Sequence, residues 1–206
     1  MFAKDFRNSA WNALRGQWGK LAVITLVYMA LMGICSSAKG ASSLALIIVE
    51  GPLLLGFYGI CFSVLDGKSF DVGSLFDGFK NFSNALVLHL LNTIFIALWS
   101  LLFIIPGIVK SYAYSMSYYI MVENPQMRPN AARVASMQLM EGNKGRLFCL
   151  HLSFIGWYLL GLLTFGILYL WIIPYVNTAT AVFYRQICFE KYGKVYQNVS
   201  GETIEQ

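Results

Sequence analysis

Six apolar runs of helix length divide the chain, and polar segments separate them. A helix of about 20 residues, rising 1.5 Å per residue, crosses the ~30 Å hydrocarbon core of a bilayer. The pattern predicts an all-α polytopic membrane protein, with six transmembrane helices arranged as three hairpins. The runs lie at 21–38, 41–65, 86–105, 107–122, 147–165 and 167–183.

Amphipathic segments precede the odd-numbered runs and predict interfacial helices. Residues 1–19 place aromatic side chains among basic ones, which is typical of a helix at a membrane surface. Residues 66–85 set aromatic side chains on one helical face, and a short amphipathic helix is predicted over 131–140. We divide the chain into an interfacial N-terminal helix at 1–19, a six-helix transmembrane domain at 20–184 and a cytoplasmic polar tail at 185–206.

The basic residues predict the orientation of the chain in the membrane. With both termini in the cytoplasm, thirteen of the fifteen Lys and Arg residues lie inside, and Lys39 and Lys110 remain on or near the outside. This asymmetry is what the positive-inside rule requires. Basic residues near the inner surface should attract anionic lipid headgroups by about 1 kcal/mol each. We expect such contacts from Lys4, Arg7, Arg15, Lys20, Lys80, Lys144 and Arg146.

Composition supports a membrane protein over a soluble one. Of the 206 residues, 57% are hydrophobic and 12% are charged, whereas about a quarter are charged in ordinary soluble domains. A soluble chain of this length needs a larger polar coat. The four cysteines, which lie in or beside apolar runs, form no CxxC or Cys/His cluster and are interpreted as buried small hydrophobes.

Glycine and proline predict interruptions of the helices. Proline lacks a backbone donor and glycine loosens the chain, so together they turn or break a helix. We expect helix breaks at Gly51, Pro52, Pro106, Gly107 and Pro174.

Two ionisable residues fall at membrane depth and mark a candidate polar site. Glu50 precedes Gly51-Pro52, and Lys110 follows Pro106-Gly107, with Tyr112 and Tyr114 beyond it. Ionisable groups inside a membrane are costly in free energy, so those that occur there usually have a function. Glu50 and Lys110 either pair or face one outward-opening cavity. Alternatively, Lys110 extends to the interface while Glu50 is protonated or pairs locally.

Histidines occur at matching positions in two of the hairpins. The strings Leu88-His89-Leu90 and Leu150-His151-Leu152 follow similar basic segments, and an Ile-Ile-Pro follows each of them, at 104–106 and 172–174. The similarity indicates a helical hairpin repeat. No third metal ligand accompanies the histidines, so we expect no metal site and no cofactor.

Several strings together resemble a known family. GPLLLGFYGICFSVLDG, SLFDGFKNF, IIPGIVKSYAYSM, QLMEGNKGRLFCLHLSFIGW and WIIPYVNTATAVFY occur in this order between about residues 13 and 184. They resemble the bacterial integral membrane protein family known as domain of unknown function number 975. The resemblance implies a multi-helix protein of the bacterial cytoplasmic membrane and no particular activity. Glu50 stands where this family suggests an apolar or small residue.

These patterns favour an uncharacterised, non-enzymatic membrane protein. It would be an envelope- or lipid-associated factor, or an accessory subunit of a transport system. The first alternative is a small transporter with an outward-facing cavity near Glu50 and Lys110, and the second is a membrane-embedded lipid-modifying enzyme. No phosphate-binding loop, HExxH or GxSxG motif is present. The expected partners are membrane lipids and a second copy or another membrane protein, and not nucleic acid.

Overall fold

The computed structural model describes residues 2–37 and 42–193, without the side chains at 37 and 42–45. Lys39, Lys194 and most of the predicted tail at 185–206 lie outside these residues. Within the described part the chain forms ten α-helices and one 3₁₀ helix, and no strand. The α-helices are α1 Ala3–Leu14, α2 Trp18–Ser37, α3 Ser42–Leu65, α4 Phe82–Leu102, α5 Ile104–Tyr114, α6 Ser117–Glu123, α7 Pro129–Leu139, α8 Lys144–Leu152, α9 Ile155–Leu163 and α10 Tyr169–Tyr192; the 3₁₀ helix is Gly73–Asn81.

Among residues 2–37 and 42–193, four helical stretches are long and apolar enough to cross a membrane. They are Trp18–Ser36, Leu46–Leu65, Gly73–Leu102 and Lys144–Leu163. The predicted fourth run is divided between α5 and α6, each shorter than a bilayer crossing. The predicted sixth run lies in α10, whose last turns carry Arg185, Glu190 and Lys191. The helical, apolar character of the chain is therefore confirmed.

Helix α3 occupies the centre of the fold. Of its apolar window 56% is buried, against 17–22% in the other three stretches. It packs against α2, α4, α6, α10 and the 3₁₀ helix. Consequently α3 meets mostly protein, whereas α2, α4 and the α8–α9 stretch keep most of their apolar surface exposed.

The predicted break at Gly51-Pro52 is wrong, because α3 runs through both residues. Gly51 instead allows close packing. A Cβ added there would lie 2.8 Å from the Ala85 oxygen and 2.8 Å from the His89 Cβ of α4. Pro52 removes one backbone donor, but packing on several sides holds the helix together.

Of the other predicted breaks, the one at Pro174 is absent and the one at Pro106-Gly107 is displaced. Pro174 lies inside the continuous helix α10. Near Pro106 the chain breaks at Phe103, whose backbone is extended (φ −157°), and Pro106 falls in the first turn of α5. Proline is tolerated there because first-turn N–H groups have no helical acceptor. The two Ile-Ile-Pro strings thus occupy different structural settings.

The boundaries at the two ends differ from those predicted. The N-terminal segment is not one helix over 1–19, since the chain turns after Leu14, with Gly16 at φ +80°, and α2 begins at Trp18. At the other end α10 continues to Tyr192 and is capped by Gly193 in the left-handed conformation (φ 63°). The helix continues through charged residues beyond its apolar part, because packing against other helices stabilises α10.

The short amphipathic helices form where the pattern predicts them. Helix α7 begins at Pro129 and ends before Gly142, which has φ +78°. Within the 66–85 segment, residues Gly73–Asn81 form the 3₁₀ helix, which packs directly on α3. Gly78 makes this possible, since an added Cβ would overlap the Pro52 carbonyl oxygen.

Candidate functional site

A polar cavity of about 430 Å³ lies among α3, α4, α5, α6, α8, α9 and α10. Most of its lining side chains carry hydroxyl, amide or imidazole groups, and none of them is Asp, Glu, Lys or Arg. Clefts of this size, in which aromatic and apolar surface surrounds a few hydrogen-bonding groups, are typical of small-molecule sites. Both histidines of the chain line the cavity, together with Tyr58, Asn92, Ser111 and Thr180.

His89 connects an acidic residue to the cavity wall. Its Nε2 lies 3.6 Å from Glu50 Oε2, and its Nδ1 lies 2.9 Å from the Tyr118 hydroxyl. The approach of α4 to Gly51 brings His89 beside Glu50. The three side chains form a chain of ionisable groups that runs from α3 through α4 to α6.

His151 forms a second, looser polar chain on the other side of the cavity. Its Nδ1 is 3.4 Å from the Tyr112 hydroxyl, and its Nε2 is 3.4 Å from Thr180 Oγ1. Thr180 in turn donates to the Val176 carbonyl at 2.8 Å. These contacts are at the long end of hydrogen-bond distances, so the His151 ring is held less tightly than that of His89.

Amide side chains complete the polar lining. Asn92 Nδ2 donates to Ser117 Oγ at 2.9 Å, while Asn92 Oδ1 is buried and has no well-aligned partner among the described residues. The Tyr119 hydroxyl donates to the Asn177 carbonyl at 3.2 Å. A buried acceptor without a partner costs free energy, so Asn92 is suited to a ligand or water that donates.

Glu50 and Lys110 have different partners in the structure. The Lys110 ammonium lies 4.8 Å from the centre of the Trp99 ring, a cation–π contact between α5 and α4. Glu50 faces His89 instead, and the ion pairs of the described residues include none between Glu50 and Lys110. Neither residue lines the cavity. Of the other predicted site residues, Tyr114 lines it and Tyr112 reaches it through His151.

The basic residues predicted to contact lipid divide into two groups. Three are engaged within the protein, since Arg7 donates to the Ser153 carbonyl, Lys80 pairs with Asp77, and Arg146 pairs with Glu190. The bond to Arg146 holds the pKa of Glu190 at about 2. Four take no part in the ion pairs of the described residues and remain the better candidates for headgroups: Lys4, Arg15, Lys20 and Lys144.

A second ionisable cluster lies at the far end of α3. Arg185 pairs with Asp66 at 2.6 Å, and the Tyr184 hydroxyl donates to Glu123 at 2.8 Å. Burial raises the pKa of Glu123 to about 7, although the bond from Tyr184 and the Arg185 charge oppose the shift. This cluster joins the ends of α3, α6 and α10.

Glu123→Gln is expected to flatten the pH dependence of stability. The pKa of Glu123 is about 7 in the folded protein and 4.5 ordinarily. As the pH rises, the Glu123 carboxyl therefore loses its proton at a lower pH in the unfolded chain than in the folded protein. Wild-type stability should therefore fall as pH rises from 4.5 to 7, by on the order of 2 kcal/mol. Melting midpoints in detergent would show the variant more stable above pH 7. The exposed Glu141→Gln should leave the wild-type profile intact, and an unchanged slope in Glu123→Gln would contradict the prediction.

Comparison with known proteins finds one similarity, over the second half of the chain. Residues 104–191 match the model described as "Protein of unknown function (DUF975)". Residues 104–191 are therefore similar to the DUF975 family. The match covers less than half of the 206 residues and contains α5 to α10. No curated protein and no solved structure matches the chain.

The DUF975 segment supplies only part of the cavity. Tyr118, His151 and Thr180 come from it, whereas Tyr58, His89 and Asn92 come from the helices before it. Sequence reasoning did not identify Tyr58 and Asn92, which lie within apolar runs. The matched Leu-His-Leu strings and the predicted site residue Tyr114 were the signals that pointed to the cavity. Residues 2–37 and 42–193 contain no cluster of three or more potential metal ligands among His, Cys, Asp and Glu.

Proposed function

We propose that the protein is a non-enzymatic, multi-pass protein of the bacterial cytoplasmic membrane that binds a small, hydrogen-bonding solute, as a small transporter does. The polar cavity is the observation that carries this proposal. Polar groups at membrane depth are expensive, and those that remain usually mark a binding site or pathway. An accessory or structural protein needs no such cavity. The accessory role and the lipid-modifying role are the alternatives.

The cavity's chemistry restricts the solute. Its lining offers hydroxyl, amide and imidazole groups, together with the aromatic faces of Tyr58, Tyr114 and Tyr119, and no charged side chain. A strongly charged solute would find no partner of opposite charge in this wall. A neutral or zwitterionic solute with several hydrogen-bonding groups fits the lining better.

The proposal includes six membrane crossings with both termini in the cytoplasm. Four crossings come from the long apolar stretches, and the α5–α6 pair and the apolar part of α10 supply the other two. The concentration of Lys and Arg in the termini and in the connections assigned to the cytoplasmic side supports this orientation. In this arrangement Gln126, in the connection between α6 and α7, faces the cytoplasm.

Cysteine labelling tests both the cavity and the orientation. In a background without the four native cysteines, Thr93→Cys and Ser111→Cys should react with a hydrophilic maleimide because both residues line the cavity. Leu98→Cys, on the same helix as Thr93 but exposed on the apolar surface, should react at least about tenfold more slowly, since thiolate forms poorly in hydrocarbon.

An impermeant maleimide should label Gln126→Cys only after the cells are permeabilised.

The outcomes separate the candidate functions. Equal, slow labelling at Thr93→Cys and Leu98→Cys would mean that water does not enter the cavity, and the accessory role would then be preferred. Labelling of Gln126→Cys in intact cells would overturn the orientation. A further Asn92→Phe change should slow the labelling of Thr93→Cys by filling the space beside it.

A further inference from the structure

Four of the five tryptophans line one groove outside the polar cavity. Trp11 of α1, Trp18 of α2, Trp157 of α9 and Trp171 of α10 surround a volume of about 370 Å³, together with Tyr175. Ring centres lie 5.0 Å apart for Trp11–Trp18 and 5.6 Å apart for Trp11–Tyr175. Segments distant in sequence therefore build a single aromatic wall.

The groove adjoins the lipid-facing surface of the protein. Its lining is almost entirely apolar and includes Leu168 and Ile172 of the α9–α10 hairpin. Beyond the groove, the tip of that hairpin exposes Leu163 (77%) and Phe165 (99%). An apolar channel continuous with such a surface suits an alkyl chain and gives a polar solute few partners.

Cationic side chains lie before and after Trp11 at a spacing of four residues. Arg7 shares one face of α1 with Trp11, and Arg15 is the capping residue that directly follows the last residue of α1. Arg7 is held by the Ser153 carbonyl and lies 5.9 Å from the Phe154 ring. Arg15 is exposed and belongs to none of the ion pairs found among the described residues. An exposed guanidinium group, without an acidic partner in the described part of the chain, therefore follows directly after the helix that carries Trp11.

We propose that this groove is a binding site for an anionic phospholipid, with an acyl chain along the tryptophans and the phosphate at Arg15. Indole rings prefer the membrane interface, and guanidinium binds phosphate through two parallel hydrogen bonds. The site is separate from the polar cavity and does not depend on the solute-binding function. Such a site would bind one anionic lipid specifically, in addition to the general attraction that a basic surface exerts on anionic lipids.

Tryptophan quenching in lipid vesicles tests the proposal directly. A Trp99→Phe variant leaves only the four groove tryptophans as reporters. It would be reconstituted in phosphatidylcholine containing a small fraction of either dibrominated phosphatidylglycerol or dibrominated phosphatidylcholine. Because one basic residue at a membrane surface attracts an anionic lipid by about 1 kcal/mol, the anionic quencher should be enriched about fivefold at the groove.

Matched variants distinguish a site from a diffuse charge effect. Arg15→Gln should remove most of the preference for the anionic quencher. Lys20→Gln also removes one positive charge, two residues after Trp18, but Lys20 faces a different pocket, beside Phe70 and Asp71. This variant should keep the preference for the anionic quencher. Circular dichroism and gel filtration would establish that both variants are folded.

Three results would overturn the proposal. Equal quenching by the two brominated lipids in the Trp99→Phe protein would show no anionic site. Equal loss of preference in Arg15→Gln and Lys20→Gln would show a diffuse surface charge instead. Weak quenching that strengthens as the protein is diluted in the vesicles would show that a second copy covers the groove.

Discussion

Gly56→Ala is expected to prevent stable folding of the protein, although it adds one methyl group. The new Cβ would overlap the Leu75 carbonyl oxygen of the 3₁₀ helix and lie 2.8 Å from the Leu75 carbonyl carbon. Both are backbone atoms, so no side-chain rotation relieves the clash. The two segments would have to separate, at a cost of about 3 kcal/mol or more. Gel filtration and melting in detergent should show aggregation or a much lower midpoint.

Gly59→Ala, one turn further along α3, is the matched control. The nearest atom to its added Cβ is Val122 Cγ1 at 4.0 Å, an ordinary contact. This variant should fold normally and gain slightly from the higher helix propensity of alanine. Gly78→Ala should resemble Gly56→Ala, because its Cβ would overlap the Pro52 oxygen from the opposite side. Equal stability of Gly56→Ala and Gly59→Ala would show that the 3₁₀ helix does not pack as described.

His89→Leu should be the most destabilising single change in the polar cavity. It removes the partner 2.9 Å from the Tyr118 hydroxyl and leaves Glu50 without the imidazole 3.6 Å away. A buried polar group left unpaired costs about 2 kcal/mol, and both Glu50 and Tyr118 lose a neighbour in this variant. Thermal unfolding in detergent or nanodiscs should show a clear fall in midpoint.

A double-mutant cycle identifies the source of this loss. Glu50→Gln in the His89→Leu background should recover a substantial part of the stability, since a neutral amide is less costly to leave unpaired than a carboxylate. His151→Leu should cost less, about 1 kcal/mol, because its two contacts are 3.4 Å long. Strictly additive effects of the Glu50 and His89 changes would contradict the pairing.

The helical character and the general positions of the helices could be predicted from hydrophobic periodicity. The apolar runs at 41–65 and 86–105 closely match α3 and α4, and Pro129 marks the start of α7. These features depend on interactions within short stretches of chain. The helix breaks were harder to predict, because tertiary packing decides whether a Gly-Pro pair interrupts a helix or allows two helices to approach.

The partners of the ionisable residues could not be derived from the sequence. Lys110 and Glu50 are both near Gly-Pro pairs, which made a mutual pair attractive. The actual partners, Trp99 and His89, depend on how α4 packs between α3 and α5. The aromatic groove has the same origin, since it joins α1 and α2 to the last hairpin across more than 130 residues of chain.

The central position of α3 has a consequence for biogenesis. Its contacts with the 3₁₀ helix and α4 lie within residues 42–102, so this unit packs soon after it leaves the ribosome. Asp66 at the end of α3, however, receives its Arg185 partner only when the last helix has been synthesised. A nascent chain halted before α10 therefore leaves the Asp66 carboxylate with only its neighbour Lys68 among the described residues, and it lacks the ion pair that fastens the first half of the protein to its last helix.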